Sequence, residues 1–197
     1  MDNLSEINRW LSQPDGIRRN YDVLMEAMRE FLVRNKNSGF QSEPDKEPDE
    51  MRPLLASISL DMSTDMEMMV AKITKILLRA PTNRRALGRA GLAVLVQWLH
   101  RQTHTRTIAA GEIANVILNA CYNGENVSIF VEVGGVGPLC ILLRSRDVNV
   151  VASALGALQG ICYVPVGRYA VRQDMEVSWN IFVLLTPLSS HSSASSY

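Results

Sequence analysis

Cys121-Tyr122-Asn123-Gly124-Glu125-Asn126 is followed 41 residues later by Cys162-Tyr163-Val164-Pro165-Val166-Gly167. The apolar residues ahead of each stretch move in step, with Ala114, Ile117 and Ala120 becoming Leu155, Leu158 and Ile161. A third copy is expected a further 41 residues upstream, where Asp65, Ile73 and Ile76 map onto Asp147, Leu155 and Leu158 at a separation of 82. Within each copy the apolar residues recur every three or four positions, the period of a helix with one buried face. A repeat of about 40 residues built from helices predicts a stacked array, in which each unit buries its apolar face against its neighbours. Such an array offers an extended surface rather than an enclosed reaction chamber, so the expected activity is binding rather than catalysis.

Each unit reads as three helices. A short first helix opens at Asn83 or Asn126 and ends at glycine, in Ala90-Gly91 and Gly134-Gly135. A second runs from Leu92 to Leu99 and from Val136 to Leu143, with Pro138 in its first turn, where a missing N–H costs nothing. A third runs from Thr107 to Tyr122 and from Val148 to Tyr163.

Two segments carry a family resemblance. Gly134-Gly135-Val136-Gly137-Pro138-Leu139-Cys140-Ile141-Leu142-Leu143 resembles the second helix of the armadillo repeat. Asp147-Val148-Asn149-Val150-Val151-Ala152-Ser153-Ala154-Leu155-Gly156-Ala157-Leu158 resembles its third. The resemblance is closest over 134–173, extends over 83–133, and is fainter over 51–82. It implies an all-α, right-handed superhelical solenoid of armadillo/HEAT-like three-helix repeats that binds a protein segment along its third helices. Peptide-clamping members of the family carry a Trp and an Asn four apart on that helix. This chain has Ala71, Glu112 and Ser153 at the matching Trp positions, and Lys75, Val116 and Ala157 at the Asn positions. A nuclear-signal receptor of the importin-alpha kind is therefore not expected.

The expected organisation has four parts: a separate N-terminal helical segment (1–40), an acidic Pro-rich linker (41–50), the array (51–186, three units and a partial fourth), and a Ser-rich disordered tail (187–197). The N-terminal segment contains one helix from Ile17 to Val33, with Tyr21, Leu24, Met25, Met28 and Leu32 at helical spacing. The linker, Gln-Ser-Glu-Pro-Asp-Lys-Glu-Pro-Asp-Glu, has two prolines, five acids and nothing to bury. Hydrophobic residues make up 47% and charged residues 20% of the chain, which excludes wholesale disorder. Neither a signal peptide nor a membrane-inserted helix is expected, since the apolar run Ile181–Leu185 is far too short to span a bilayer. The three cysteines, Cys121, Cys140 and Cys162, lie in apolar helical runs and read as reduced core residues of a cytoplasmic or nuclear protein.

The net charge of zero conceals an asymmetry. Residues 1–67 hold 14 acids and 8 bases, while residues 68–111 hold 8 bases and no acid. Those bases are Lys72, Lys75, Arg79, Arg84, Arg85, Arg89, Arg101 and Arg106. A positive strip of this kind suits an acidic or phosphorylated protein segment. Nucleic acid is the alternative, but the block contains one aromatic residue, Trp98, where single-strand binders interleave several. The acidic linker is a third taker for the strip, as an internal competitor.

No catalytic constellation stands out. Gly135-Val136-Gly137 lacks the third glycine of a dinucleotide loop, since Cys140 takes its place. His100 and His104 are four apart but lack a third ligand, and Arg101 stands where a zinc-protease helix needs glutamate. His191 sits in the serine-rich tail. Neither a metal nor a cofactor is expected. The methionines Met62, Met66, Met68 and Met69 read mainly as core filling.

The expected partner-binding residues are the concave ones: Lys75, Arg79, Glu112, Asn115, Asn119 and Ser153. Arg84, Arg85 and Arg89 form a basic patch at the edge. Trp179, Phe182 and Leu185 form an apolar face at the end of the array, offering a route to self-association. A scaffold or adaptor is the leading expectation; a structural subunit of a cytoskeletal or ciliary assembly is a further alternative.

Overall fold

A computed structural model describes residues 3–13, 15–36, 51–58, 62–105 and 108–185, with side chains described except at 3, 104–105 and 176–185. Eleven helices follow one another among the described residues, with no strand. They are α1 (Asn3–Leu11), α2 (Gly16–Arg19), α3 (Tyr21–Arg34), α4 (Arg52–Ser57), α5 (Thr64–Leu77), α6 (Pro81–Thr105), α7 (Ile108–Ala120), α8 (Gly124–Glu132), α9 (Val136–Leu142), α10 (Val148–Ile161) and α11 (Pro165–Leu185).

The helices α3, α5, α7 and α10 pack in sequence as one ridge of third helices. Behind them α1, α4, α6 and α9 pack in sequence as the second helices, while α6, α8 and α11 supply the first-helix layer. The result is an all-α solenoid with a single apolar core running from Leu4 to Val171. Trp98, Phe31 and Phe130 are its largest fully buried side chains. Each ridge helix buries the stripe that its sequence period predicts. In α10 these are Val150, Ala154, Ala157, Leu158 and Ile161.

Helix starts are fixed by polar caps. Ser63 Oγ accepts from Met66 N, Asn123 Oδ1 from Glu125 N, and Asp147 Oδ1 from Asn149 N. Each satisfies one of the amides that a first turn leaves without a helical partner. The turn from first to second helix is made at glycine. Gly88 (φ 55°) breaks α6 into two limbs, and Gly134 (φ 78°) separates α8 from α9. Both sit in the left-handed region that L side chains disfavour. The break therefore falls at Gly88, three residues before the expected Gly91. Gly91 instead packs against Leu87 and Leu55, where a Cβ would sit 2.7 Å from Leu87 Cδ1.

Three sequence expectations change. The helix expected over Ile17–Val33 divides at Asn20 into α2 and α3. Far from standing apart, α3 packs on α5 within the common core, so the ridge begins with it. The third-copy register also shifts by two residues. Ser63 and Asp147 occupy the same capping position and lie 84 apart rather than 82. The added pair falls after Asn83, ahead of α7, because the ridge helices end six residues before Asn83 and before Asn126 alike. Finally, the last unit does not break into first and second helices, because α11 continues unbroken from Pro165 to Leu185. The linker 41–50, the tail with His191, and the side chains of His104, Trp179, Phe182 and Leu185 lie outside the described residues; the backbone of the last three belongs to α11.

Candidate functional site

Five of the six residues expected to reach from the ridge toward a ligand reach for one another instead, and the sixth, Arg79, reaches for the backbone. Lys75 Nζ on α5 lies 2.6 Å from Glu112 Oε2 on α7, with both side chains mostly buried. Asn119 Nδ2 donates to the backbone oxygen of Lys75 at 2.8 Å. Asn115 Nδ2 donates to Ser153 Oγ on α10 at 3.2 Å. Arg79, just past α5, donates to the backbone oxygen of Asn35, just past α3, at 3.5 Å. The set therefore runs across α3, α5, α7 and α10 as a line of stitches between successive units. Its positive charge is correspondingly reduced, because Glu112 neutralises Lys75 across the groove.

The shifted register bears on the missing peptide clamp. With α5 realigned, the Asn position of that unit is Ile73 rather than Lys75. Ile73, Val116 and Ala157 are then equivalent, and all three are fully buried and apolar. No amide at that position faces a ligand.

The corners between third and first helices are built differently. Asn83 Nδ2 donates to Leu77 O at 2.9 Å, and Asn126 Nδ2 to Ala120 O at 2.9 Å. Each ties the end of a ridge helix to the next first helix, six residues on. Asn126 Nδ2 also lies 2.8 Å from Arg84 O of the preceding corner, so it joins two units. At the next corner Gly167 takes this position, and a Cβ there would sit 2.2 Å from Ile161 O. Sequence reading used Asn83 and Asn126 as register marks and missed this bonding. The signal was the Asn-for-Asn match at a corner, where a side-chain amide can cap free carbonyls.

At the edge of these corners Arg84 lies over the Tyr122 ring, 5.8 Å from its centroid. Pro81, Arg84, Arg85, Tyr122, Asn123, Gly124 and Glu125 line an open cleft of about 450 Å³. Among the described residues neither Arg84 nor Arg85 forms an ion pair, whereas Arg89 is taken by Glu132 at 2.6 Å. Tyr122 and its repeat equivalent Tyr163 are both well exposed, at 64% and 76%. The expected basic patch thus reduces to Arg84 and Arg85 beside Tyr122. Arg101, elsewhere in the basic block, donates to Ile58 O on the second-helix side. The block is consequently spread over ridge, corner and back rather than drawn into one strip. Trp98 is fully buried, and its Nε1 donates to Glu67 Oε1 at 3.3 Å, so it presents no ring face to a base.

His100 is exposed on α6 and lines a second open cleft with Val96, Gln97, Arg101, Val133, Gly134 and Pro138. Among the described residues no cluster of three or more His, Cys, Asp or Glu side chains is placed to hold a metal. Cys121, Cys140 and Cys162 are free thiols. Burial pushes the Cys121 thiol up to about 12 and, with help from Asp174 and Cys162, the Cys140 thiol up to about 11. Met66 is fully buried and Met62 and Met69 pack against the core, as core filling requires.

Residues 125–163, which span α8, α9 and α10, match the family model of the armadillo/beta-catenin-like repeat. The fold of the chain is the armadillo solenoid. An engineered protein from a structural-genomics consortium is similar over 96% of this chain, with a TM-score of 0.68 and 21% identity. The chain spans 45% of the length of that protein. A designed armadillo repeat protein in complex with the peptide (KR)4 is similar over 97% of this chain and 85% of its own, with a TM-score of 0.57 and 15% identity. A second engineered protein is similar over 93% of this chain and 81% of its own, at TM-score 0.57 and 19% identity. No curated protein sequence matches the chain. Armadillo arrays are, as a class, protein-binding scaffolds and typically not enzymes.

Proposed function

We propose that this armadillo array is a non-enzymatic adaptor that binds an acidic or phosphorylated segment of a partner protein at the corner cleft of Arg84, Arg85 and Tyr122. The observation that carries the reading is the contrast between ridge and corner. On the ridge, Lys75, Glu112, Asn115, Asn119 and Ser153 are committed to one another. At the corner, two guanidinium groups without ion pairs stand beside an exposed tyrosine. Arg and Tyr are the residue types that dominate protein-interface energetics, since each combines a large apolar surface with a polar end. A carboxylate or phosphate accepts a two-pronged hydrogen bond from a guanidinium, which selects the sign of the ligand. The designed relative holds a basic peptide; the arginines here favour the opposite charge.

The cytoplasm or nucleus is the compartment that goes with this reading, supported by three free thiols in apolar surroundings. Electrostatic nucleic-acid binding is weakened as a reading by the dispersal of the basic block and the burial of Trp98. The deciding experiment is capture of partners from native extract with the full chain, with and without nuclease, beside Arg84→Glu/Arg85→Glu. A protein set that survives nuclease and is lost in the variant supports the adaptor. Capture that disappears with nuclease overturns it in favour of nucleic acid.

A further inference from the structure

The corner cleft carries both signs of charge. One wall is the start of α6, with Arg84 and Arg85, and the other is the start of α8, with Glu125. Glu125 is exposed, and its carboxylate forms no ion pair among the described residues, although it shares the cleft with two guanidinium groups that form none either. The neighbouring cations are taken up within the chain. Arg89 pairs with Glu132, Arg79 donates to Asn35 O, and Arg168 donates to Cys162 O and Tyr163 O. The cleft is not open for want of a neighbouring unit. Arg79 ties its corner to the unit before, and a Cβ on Gly124 would lie 3.7 Å from Val164 Cγ2 in the unit after. With both units in place Tyr122 is still 64% exposed. The two walls are also held at a fixed spacing, since Asn126 Nδ2 on α8 donates to Arg84 O on α6.

We infer that the partner segment is itself of mixed charge: an acidic or phosphorylated residue for Arg84 and Arg85, with a Lys or Arg two residues away for Glu125, an assignment that rests on the corner being the binding surface. α6 and α8 pack directly on each other, which sets their axes about 8–10 Å apart. In an extended segment, residues two apart point to the same face about 7 Å from each other, within side-chain reach of both walls. The anion takes a charge-assisted, forked hydrogen bond from the guanidinium groups. The cation lays its aliphatic stem along the Tyr122 ring and brings its charged end to Glu125. A purely acidic segment still meets the arginines, but it sets a like charge against Glu125 and binds more weakly. A purely basic segment is repelled by both guanidinium groups. Glu125 is therefore the residue that sorts one acidic partner from another. A carboxylate in the first turn of α8 also favours that helix, so the charge at the cleft has to be tested apart from the fold.

Fluorescence anisotropy at low salt, on the full chain, compares labelled glycine/serine peptides that carry one phosphoserine. One pair has lysine two residues before or after the phosphoserine, and a second pair has glutamate in the same places. Wild type binds the better lysine peptide about fivefold tighter than its glutamate counterpart, the size of an exposed ion pair. Glu125→Gln removes the preference and Glu125→Lys reverses it, with circular-dichroism melts showing that both variants fold. A wild type that binds the lysine and glutamate peptides alike, or a preference for lysine that persists in folded Glu125→Lys, overturns the inference. In that event the corner survives as the binding surface where Arg84→Glu/Arg85→Glu abolishes binding, and falls as well where that variant binds like wild type. No binding of any of the four peptides overturns both.

Discussion

Lys75 Nζ and Glu112 Oε2 are 2.6 Å apart across the joint between α5 and α7, in the middle of the ridge of third helices. The pair holds two units together rather than waiting for a third party. Lys75→Glu is accordingly a stability variant, since it sets two carboxylates face to face. Exchanging the pair, Lys75→Glu with Glu112→Lys, restores most of the loss. A double-mutant cycle followed by urea unfolding gives a coupling of about 1 kcal/mol, modest because both side chains retain some access to water. A coupling of zero contradicts the stitched ridge.

Asn126 is a second joint and a stronger one. Its side chain is buried, and its Nδ2 bonds both Ala120 O and Arg84 O. Removing it leaves two carbonyl oxygens short of a donor, at a cost of about 2 kcal/mol. Asn126→Ala therefore lowers the melting temperature by about 4–8 °C for a chain of this size. Asn83→Ala, which loses one bond to Leu77 O, falls less. Equal shifts in the two variants would remove the inter-unit bond from the account.

Gly134 isolates a backbone effect. A Cβ there meets no atom within 4 Å, yet φ is +78°. Gly134→Ala thus costs about 1 kcal/mol through conformation alone, measurable by chemical denaturation.

The buried thiols set an alkaline limit. Cys121 keeps its proton in the fold to about pH 12, against an ordinary value of 9.0. Its contribution to stability is complete below pH 9 and is lost as pH rises from 9 toward 12, because the unfolded thiol ionises first. Cys121→Ala flattens the decline of stability over that window by up to about 1.4 kcal/mol per pH unit. In the native state an alkylating reagent reaches the partly exposed Cys162 before Cys121 or Cys140.

Much of this architecture is legible in the sequence. The period of the Cys-Tyr corners and the apolar steps before them give the ridge helices α7 and α10 to within two residues. The G-G-V and D-V-N-V segments supply the family resemblance. What the sequence hides is register and partnership. The two extra residues between Asn83 and α7 shift α5 relative to the later units, and an apolar helix tolerates that shift without a visible break in its pattern. The acidic stretch 41–50 reads as a domain boundary, and so conceals that α3 belongs to the ridge. Lys75, Glu112, Asn115, Asn119 and Ser153 lie on the third helices and Arg79 just past α5, but a one-dimensional pattern cannot show that Lys75 meets Glu112 or that Asn119 meets a backbone oxygen. Arg84 and Arg85 were visible as charge, whereas Tyr122 beside Arg84 depends on the stacking of successive corners.

The account turns on the corner being the binding surface and the ridge being structural. Fluorescence anisotropy with a labelled poly-glutamate peptide, titrated at low and moderate salt, measures both at once. Arg84→Glu/Arg85→Glu should weaken binding by at least about tenfold, and the wild-type affinity should fall with salt. The folded Lys75→Glu/Glu112→Lys exchange should bind like wild type. Loss of binding in the exchange, with Arg84→Glu/Arg85→Glu unaffected, would contradict the account and return the partner to the ridge.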